Sequence, residues 1–215
     1  MVGGAANLQR FARKVPGATL LVRRGPHNDI PGPELQFDRL VISGSGTSCL
    51  AEAPWISNLD ELIRRTLDAG KPILGVCYGH QSVIRAMAGR QALRRAKAPE
   101  FGWTQIQITD PSPLLNGLPK KFCSFSSHYE EVIELPKGLR KLAESDLCAI
   151  QAYQLEDRPV FGIQFHPEKD LIDAEKIFKS RRAQGEGHIL MHPEKSEKLY
   201  DPAIGDTIFK NFFSA

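Results

Sequence analysis

The chain has 215 residues, 41% of them hydrophobic, which is enough to bury one sizeable core and reads as a single domain over residues 1–215. A net charge of +3, scattered over short basic pairs such as Arg23-Arg24, Arg94-Arg95 and Arg181-Arg182, is too small to imply a nucleic-acid partner. No apolar run reaches membrane length, Met1-Val-Gly-Gly-Ala is no signal peptide, and the four cysteines lack metal-ligand or disulfide-framework spacing, so a cytoplasmic protein without a metal or cofactor is expected.

In chain order, Asn7 to Val15 carries helical spacing, and Gly17 to Arg23, enclosing Ala-Thr-Leu-Leu-Val, predicts a strand. A loop rich in Pro and Gly, Gly25 to Glu34, leads to a strand at Arg39–Ser43. Asn58 is placed to cap an amphipathic helix, Leu59–Ala69, that Gly70 closes. The apolar run Pro72-Ile73-Leu74 predicts a strand that turns sharply into a helix from about Gly79 to Ala88, ended by Gly89. The later strands are shorter and read as antiparallel: Thr104–Ile108, Phe122–Ser127, Leu147–Tyr153 and Val160–Phe165. A final amphipathic helix, Asp206–Phe213, gathers Ile208, Phe209, Phe212 and Phe213 on one face. Alternating helix and strand predicts an α/β fold: an open, mostly parallel sheet flanked by helices, with a smaller antiparallel part.

Two segments carry chemistry. In Gly75-Val76-Cys77-Tyr78-Gly79-His80-Gln81 a cysteine stands at the apex of a strand-to-helix turn. Its sulfur there points out of the sheet edge, beside a helix N-terminus that favours thiolate over thiol. The flanking glycines free the backbone and keep Cβ atoms away from the sulfur. This is the cysteine counterpart of the nucleophile elbow of hydrolases. In Phe161-Gly162-Ile163-Gln164-Phe165-His166-Pro167-Glu168 a short strand is broken by proline, so His166 sits at a strand end within reach of the same crevice. Glu168 is placed to hold one imidazole nitrogen while the other faces the thiol, the logic of nucleophile, base and orienter.

Together these segments resemble the class I (triad) glutamine amidotransferases, in the family's order and with a fitting separation, 166 − 77 = 89 residues. A third segment agrees: Arg39-Leu-Val-Ile-Ser-Gly44-Ser45-Gly46 is similar to the family's strand and glycine turn, usually Ser-Gly-Gly-Pro, with Ser45 where the family prefers Gly. The likeness covers roughly residues 7–175 and Gly205 to Phe213. Glu100-Phe-Gly-Trp103 and Ser126-Ser-His-Tyr-Glu-Glu131-Val bring it closest to the GMP synthetase amidotransferase domain.

The resemblance implies a flavodoxin-like sheet and hydrolysis of glutamine to glutamate and ammonia through a cysteine thioester. Cys77 would be nucleophile, His166 base and acid, and Glu168 orienter. Backbone N–H groups of Ser45 and Tyr78 would form the oxyanion hole. Gly44, Gln81, Ser127 and His128 would line the glutamine site, with a structural loop role equally open for His128. His80 is expected to fix the elbow helix, and Gln164 to be a plain strand residue. Cys49, Cys123 and Cys148 are expected to be small core or surface residues. Ammonia would pass to a separate synthetase partner, since this chain holds no synthetase domain. Two other readings stay open: a stand-alone γ-glutamyl hydrolase, and a non-catalytic regulatory module of amidotransferase type.

Between Lys169 and Gly205 the chain is longer than the family's link, and an insertion is expected at about 176–204: a polar surface excursion, a lid or a docking element. His192-Pro193-Glu194-Lys195 within it repeats His166-Pro167-Glu168-Lys169, but lacks the preceding Gly-Ile-Gln-Phe strand, so His166 is the expected base. The family's first buried strand finds no counterpart in Met1–Ala6, which leaves an expected gap beside Ala18–Arg23.

Overall fold

The computed structural model describes residues 5–214. Among them lie eight strands: β1 (Leu40–Ile42), β2 (Ile73–Val76), β3 (Leu93–Ile108), β4 (Lys121–Val132), β5 (Leu139–Glu144), β6 (Ala152–Leu155), β7 (Val160–Ile163) and β8 (Leu190–Met191). They form one sheet in the order β1-β2-β7-β6-β5-β3-β4, with β8 beside β3. β1, β2 and β7 run parallel, with Gly75 opposite both Ile42 and Gly162. From β7 onward the ladders through β6, β5, β3 and β4 are antiparallel.

Helices cover both faces, as an α/β sheet buried on two sides requires. On one face α1 (Ala5–Ala12) meets the C-terminal helix, which packs Ile208, Phe209 and Phe212 against Leu74, Val76 and Ile163. Phe11 stacks on Phe209 with ring centroids 4.3 Å apart. On the other face α2 (Pro54–Asp68) and α3 (Tyr78–Ala88) bury Leu62, Ile63, Val83 and Ile84 against Ile73 and Val160. β2 serves both layers because its side chains alternate. Next come α4 (Leu171–Ala183), α5 (Ser196–Leu199) and α6 (Pro202–Ser214), the C-terminal helix just described. α4 opens on a capping box of Asp170 and Asp173 and lays Ala174 and Phe178 on Trp103 and Phe125. No helix of the described residues is long and apolar enough to cross a membrane.

Several expected elements move. Ala18–Arg23 is no strand: Leu20, Leu21 and Val22 are 46%, 54% and 42% exposed, and no ladder forms there among the described residues. An apolar run becomes a strand only where a neighbour completes its hydrogen bonds, and β1 pairs with β2 alone among the described residues. The expectation for Met1–Ala6 lies outside the described residues except for Ala5 and Ala6, which open α1. α2 starts at Pro54 rather than Leu59, because proline at the first helical position needs no N–H partner; Asn58 is interior and bonds Asn28 Oδ1 at 2.9 Å. β5 has no counterpart among the expected strands, and the Leu147–Tyr153 strand shifts to Ala152–Leu155. β3 and β4 extend to 16 and 12 residues, forming a long ribbon with a bulge between Arg95 and Glu100.

Residues 176–204 run from the middle of α4 through β8 and α5 into the start of α6. β8 pairs parallel with β3 at Phe101 and Gly102, and Trp103 Nε1 donates to Ser196 Oγ at 2.9 Å.

The elbow depends on close backbone approach. A Cβ on Gly79 would fall inside contact distance of the Ile42 carbonyl, and one on Gly75 inside that of the Gly79 carbonyl. Alanine at 79 gains about 1 kcal/mol of helix propensity, but overlap with a backbone that cannot rotate away costs up to about 3 kcal/mol. Gly79→Ala is therefore expected to lower the urea midpoint, and an unchanged midpoint would contradict the close-approach account.

Candidate active site

Cys77 joins β2 to α3 with φ +52° and ψ −101°, a conformation that side-chain-bearing residues rarely hold. The turn persists because its ends are fixed. The Cys77 N–H donates to Ile163 O at 2.8 Å, and Gln81 N–H donates to Cys77 O at 3.1 Å. Cys77 is 6% exposed, and its thiol reaches the Ser127 carbonyl at 3.7 Å.

His166 follows β7 and is tied across to β4, its N–H donating to Phe125 O at 2.6 Å. Its Nδ1 meets Glu168 Oε1 at 2.6 Å, and its ring and Cys77 both lie against Gly44. Gly44, at the end of β1, leaves the room: a Cβ there would stand 2.8 Å from His166 Cε1 and 3.6 Å from Cys77 Cβ. Burial pulls the His166 pKa down, yet Glu168 and the Cys77 sulfur together overcome it and raise it from 6.5 to about 9. Burial raises Glu168, but the His166 charge and hydrogen bond outweigh that and hold it below its ordinary 4.5. Glu168 is fully buried, and Arg10 of α1 steadies the turn from behind by donating to Glu168 O at 2.9 Å and to Asp170.

The structure brings Cys77, His166, Glu168, Gly44 and the Ser127 carbonyl to one crevice. Tyr78 opens α3, so its N–H adjoins the sulfur-bearing residue; its ring is buried near Trp55 with centroids 5.8 Å apart. Ser45 follows Gly44, its Oγ accepting from Thr47 N–H at 3.1 Å. Gln81 is held from β4 and β7, its Nε2 donating to Glu130 O at 2.7 Å and Gln164 Oε1 at 3.0 Å. Gln164 thus does more than a plain strand residue. His128 turns its ring elsewhere, with Nε2 at 2.8 Å from Glu100 Oε2 and Nδ1 at 3.1 Å from Glu130 O. His80 is fully buried against the Tyr153 ring, and burial lowers its pKa to about 3, so it stays neutral within the elbow helix. The second His-Pro-Glu, 192–194, follows β8 and enters a short 3-10 helix, away from the parallel strands β1, β2 and β7.

Glu100, His128 and Cys148 place their ligand atoms within 4.8 Å of one another, a donor set that suits a metal by type. The Glu100 carboxylate, however, also accepts from Ser145 Oγ at 2.7 Å and Gln151 Nε2 at 2.6 Å. Burial pushes the Cys148 thiol up to about 12. The group is a closed polar network rather than an open coordination site. Glu130, Glu100 and Arg10 carry no local signal of these roles, because contacts between distant strands and helices leave no pattern in neighbouring residues.

Residues 10–181 match the family model described as glutamine amidotransferase class-I. Over 114 residues the chain is 41% identical to the GMP synthase (glutamine-hydrolyzing) of Aeropyrum pernix, covering 53% of this chain and 22% of that one. Over 119 residues it is 36% identical to a GMP synthase (glutamine-hydrolyzing) subunit of Methanocaldococcus jannaschii, covering 55% and 62%. The chain thus spans less than two thirds of either relative's length. The crystal structure of a glutamine amidotransferase from Thermotoga maritima shares its fold, with a TM-score of 0.81 at 17% identity over 99% of this chain and 91% of that one.

Proposed function

The chain belongs to the class-I glutamine amidotransferases, and on that premise we propose that it hydrolyses glutamine through a thioester at Cys77 and passes ammonia to a separate synthetase of the GMP synthase kind. The observation that carries the reading is the Cys77–His166–Glu168 constellation around Gly44.

Cys77 sulfur attacks the side-chain amide carbon, and charge develops on the carbonyl oxygen, where the N–H groups of Ser45 and Tyr78 receive it. The C–N bond breaks as His166 gives its proton to the leaving nitrogen. Sulfur loses its negative charge on acylation, so one of the two influences holding His166 at about 9 disappears just as it must release a proton. His166, now neutral, takes a proton from water; the hydroxide formed attacks the thioester, the C–S bond breaks, and glutamate leaves. Glu168 keeps Nδ1 oriented and stabilises the imidazolium. Gln81 and the 127–128 backbone are assigned to glutamine recognition. Such a thiol needs a reducing compartment, which agrees with the cytoplasm.

The test is ammonia release from glutamine by the purified chain, alone and with a GMP synthase-type synthetase. Weak activity alone and a large increase with the synthetase are expected, since an oxyanion turn with Ser45 in place of glycine rests unproductive until docking. Rapid hydrolysis of γ-glutamyl peptides by the chain alone, unaffected by the synthetase, would select a stand-alone hydrolase instead.

A further inference from the structure

One carboxylate outside the triad joins three walls of the crevice. Glu130 lies on β4, half-buried. Its Oε1 accepts from Ser48 Oγ, and its Oε2 accepts the Cys49 N–H at 2.8 Å. Its carbonyl accepts from Gln81 Nε2 at 2.7 Å. Glu130 thus ties the Ser48–Cys49 part of the Gly44 to Leu50 segment, together with Gln81 of α3, to β4. At its start the segment is fixed by Gly44, wedged against His166 and Cys77. At its far end Arg85 Nη1 donates to Cys49 O at 3.1 Å and Arg90 Nη1 to Leu50 O at 3.1 Å. Between those anchors Thr47 N–H donates to Ser45 Oγ. The Cys49 peptide is therefore gripped on both edges, by Glu130 at its N–H and by Arg85 at its carbonyl.

We propose that Glu130 is a positioning residue that anchors the Gly44–Leu50 loop to β4, so that on docking of the synthetase the Ser45 N–H is set against the Cys77 sulfur. The proposal deepens the glutaminase reading and rests on it. Charge-assisted bonds that a carboxylate accepts from a backbone N–H and a hydroxyl define direction as well as distance. Arg85, held by Asp60 at 2.7 Å, still grips the loop when Glu130 is removed, so the fold survives while the loop loses its reference to β4.

Assayed with the synthetase, Glu130→Ala is expected to lower kcat for glutamine by up to about 100-fold, the scale on which a misplacement of about 1 Å acts, with a much smaller change in KM. Glu130→Gln restores most of it, because its Oε1 can accept the Cys49 N–H while its Nε2 donates to Ser48 Oγ. Ser48→Ala gives a partial loss. Alkylation of Cys77 by iodoacetamide, which needs no oxyanion hole, stays at the wild-type rate in all three, while labelling by a chloroketone analogue of glutamine falls in step with kcat. Backbone hydrogen exchange of the 44–50 peptide rises in Glu130→Ala and returns in Glu130→Gln. Wild-type kinetics and exchange in Glu130→Ala would overturn the proposal. So would an equal loss of both labelling rates with a lowered melting temperature, which marks a merely structural residue. If the wild-type chain with its synthetase releases no ammonia, the glutaminase reading fails, and the exchange arm still decides whether Glu130 sets the loop.

Discussion

Cys77→Ala is expected to lower glutamine hydrolysis by on the order of 10⁴-fold or more, the scale on which removal of a covalent nucleophile acts. The variant should retain its fold. The side chain removed is one sulfur atom, and alanine meets the same φ of +52° with no larger Cβ than cysteine has. Covalent labelling by the chloroketone analogue of glutamine should vanish with it. Two controls separate this thiol from the others. Cys49 is fully buried, with its thiol pushed up to about 12 by burial, so Cys49→Ala should leave labelling unchanged. His192, in left-handed backbone after β8, should tolerate alanine without loss of turnover, whereas His166→Ala should approach the Cys77→Ala result. Retained hydrolysis in Cys77→Ala, with loss in Cys49→Ala instead, would end the assignment.

The elbow is legible because its chemistry and packing are written in adjacent residues. Gly75 and Gly79 flank the cysteine, and the structure shows both meeting backbone at distances no Cβ allows. The proline after His166 likewise marks a strand end, and the Glu168 bond closes within two residues. What stays hidden depends on partners far along the chain. Ala18–Arg23 has the composition of a strand but no ladder beside it, while β8, two residues of ordinary sequence, is a strand because β3 lies alongside. Glu130 and Glu131 enter the sequence reading only as letters of a motif, yet one fastens the Ser48–Cys49 peptide and the other meets Arg94 at 2.8 Å. His128 reads as a glutamine-site residue because its neighbours do. Strand alternation instead sends its ring to Glu100, its register partner on β3, and leaves the Ser127 carbonyl at the sulfur.

Glu168→Gln is expected to cut turnover by on the order of 10²- to 10⁴-fold, as loss of the orienting carboxylate does in triads, and to change how stability depends on pH. His166 has its folded pKa raised from 6.5 to about 9, so its contribution is complete below 6.5 and is lost as pH rises toward 9. Glu168 has its folded pKa lowered from 4.5, so its contribution is complete above 4.5 and is lost as pH falls through the lowered value. The pair therefore supports the fold most between about pH 4.5 and 6.5, and the alkaline loss amounts to a few kcal/mol in order of magnitude. In Glu168→Gln the carboxylate that raises His166 is gone and only the sulfur opposes burial; denaturant midpoints measured from pH 6 to 9 should lose much of their alkaline fall. Cys77→Ala should show an intermediate slope, because it removes the sulfur's share of the shift and leaves the Glu168 share in place. Parallel slopes in wild type, Glu168→Gln and Cys77→Ala would mean that His166 does not hold its proton through these two partners, and the acid role given to it in ammonia release would fall with that result.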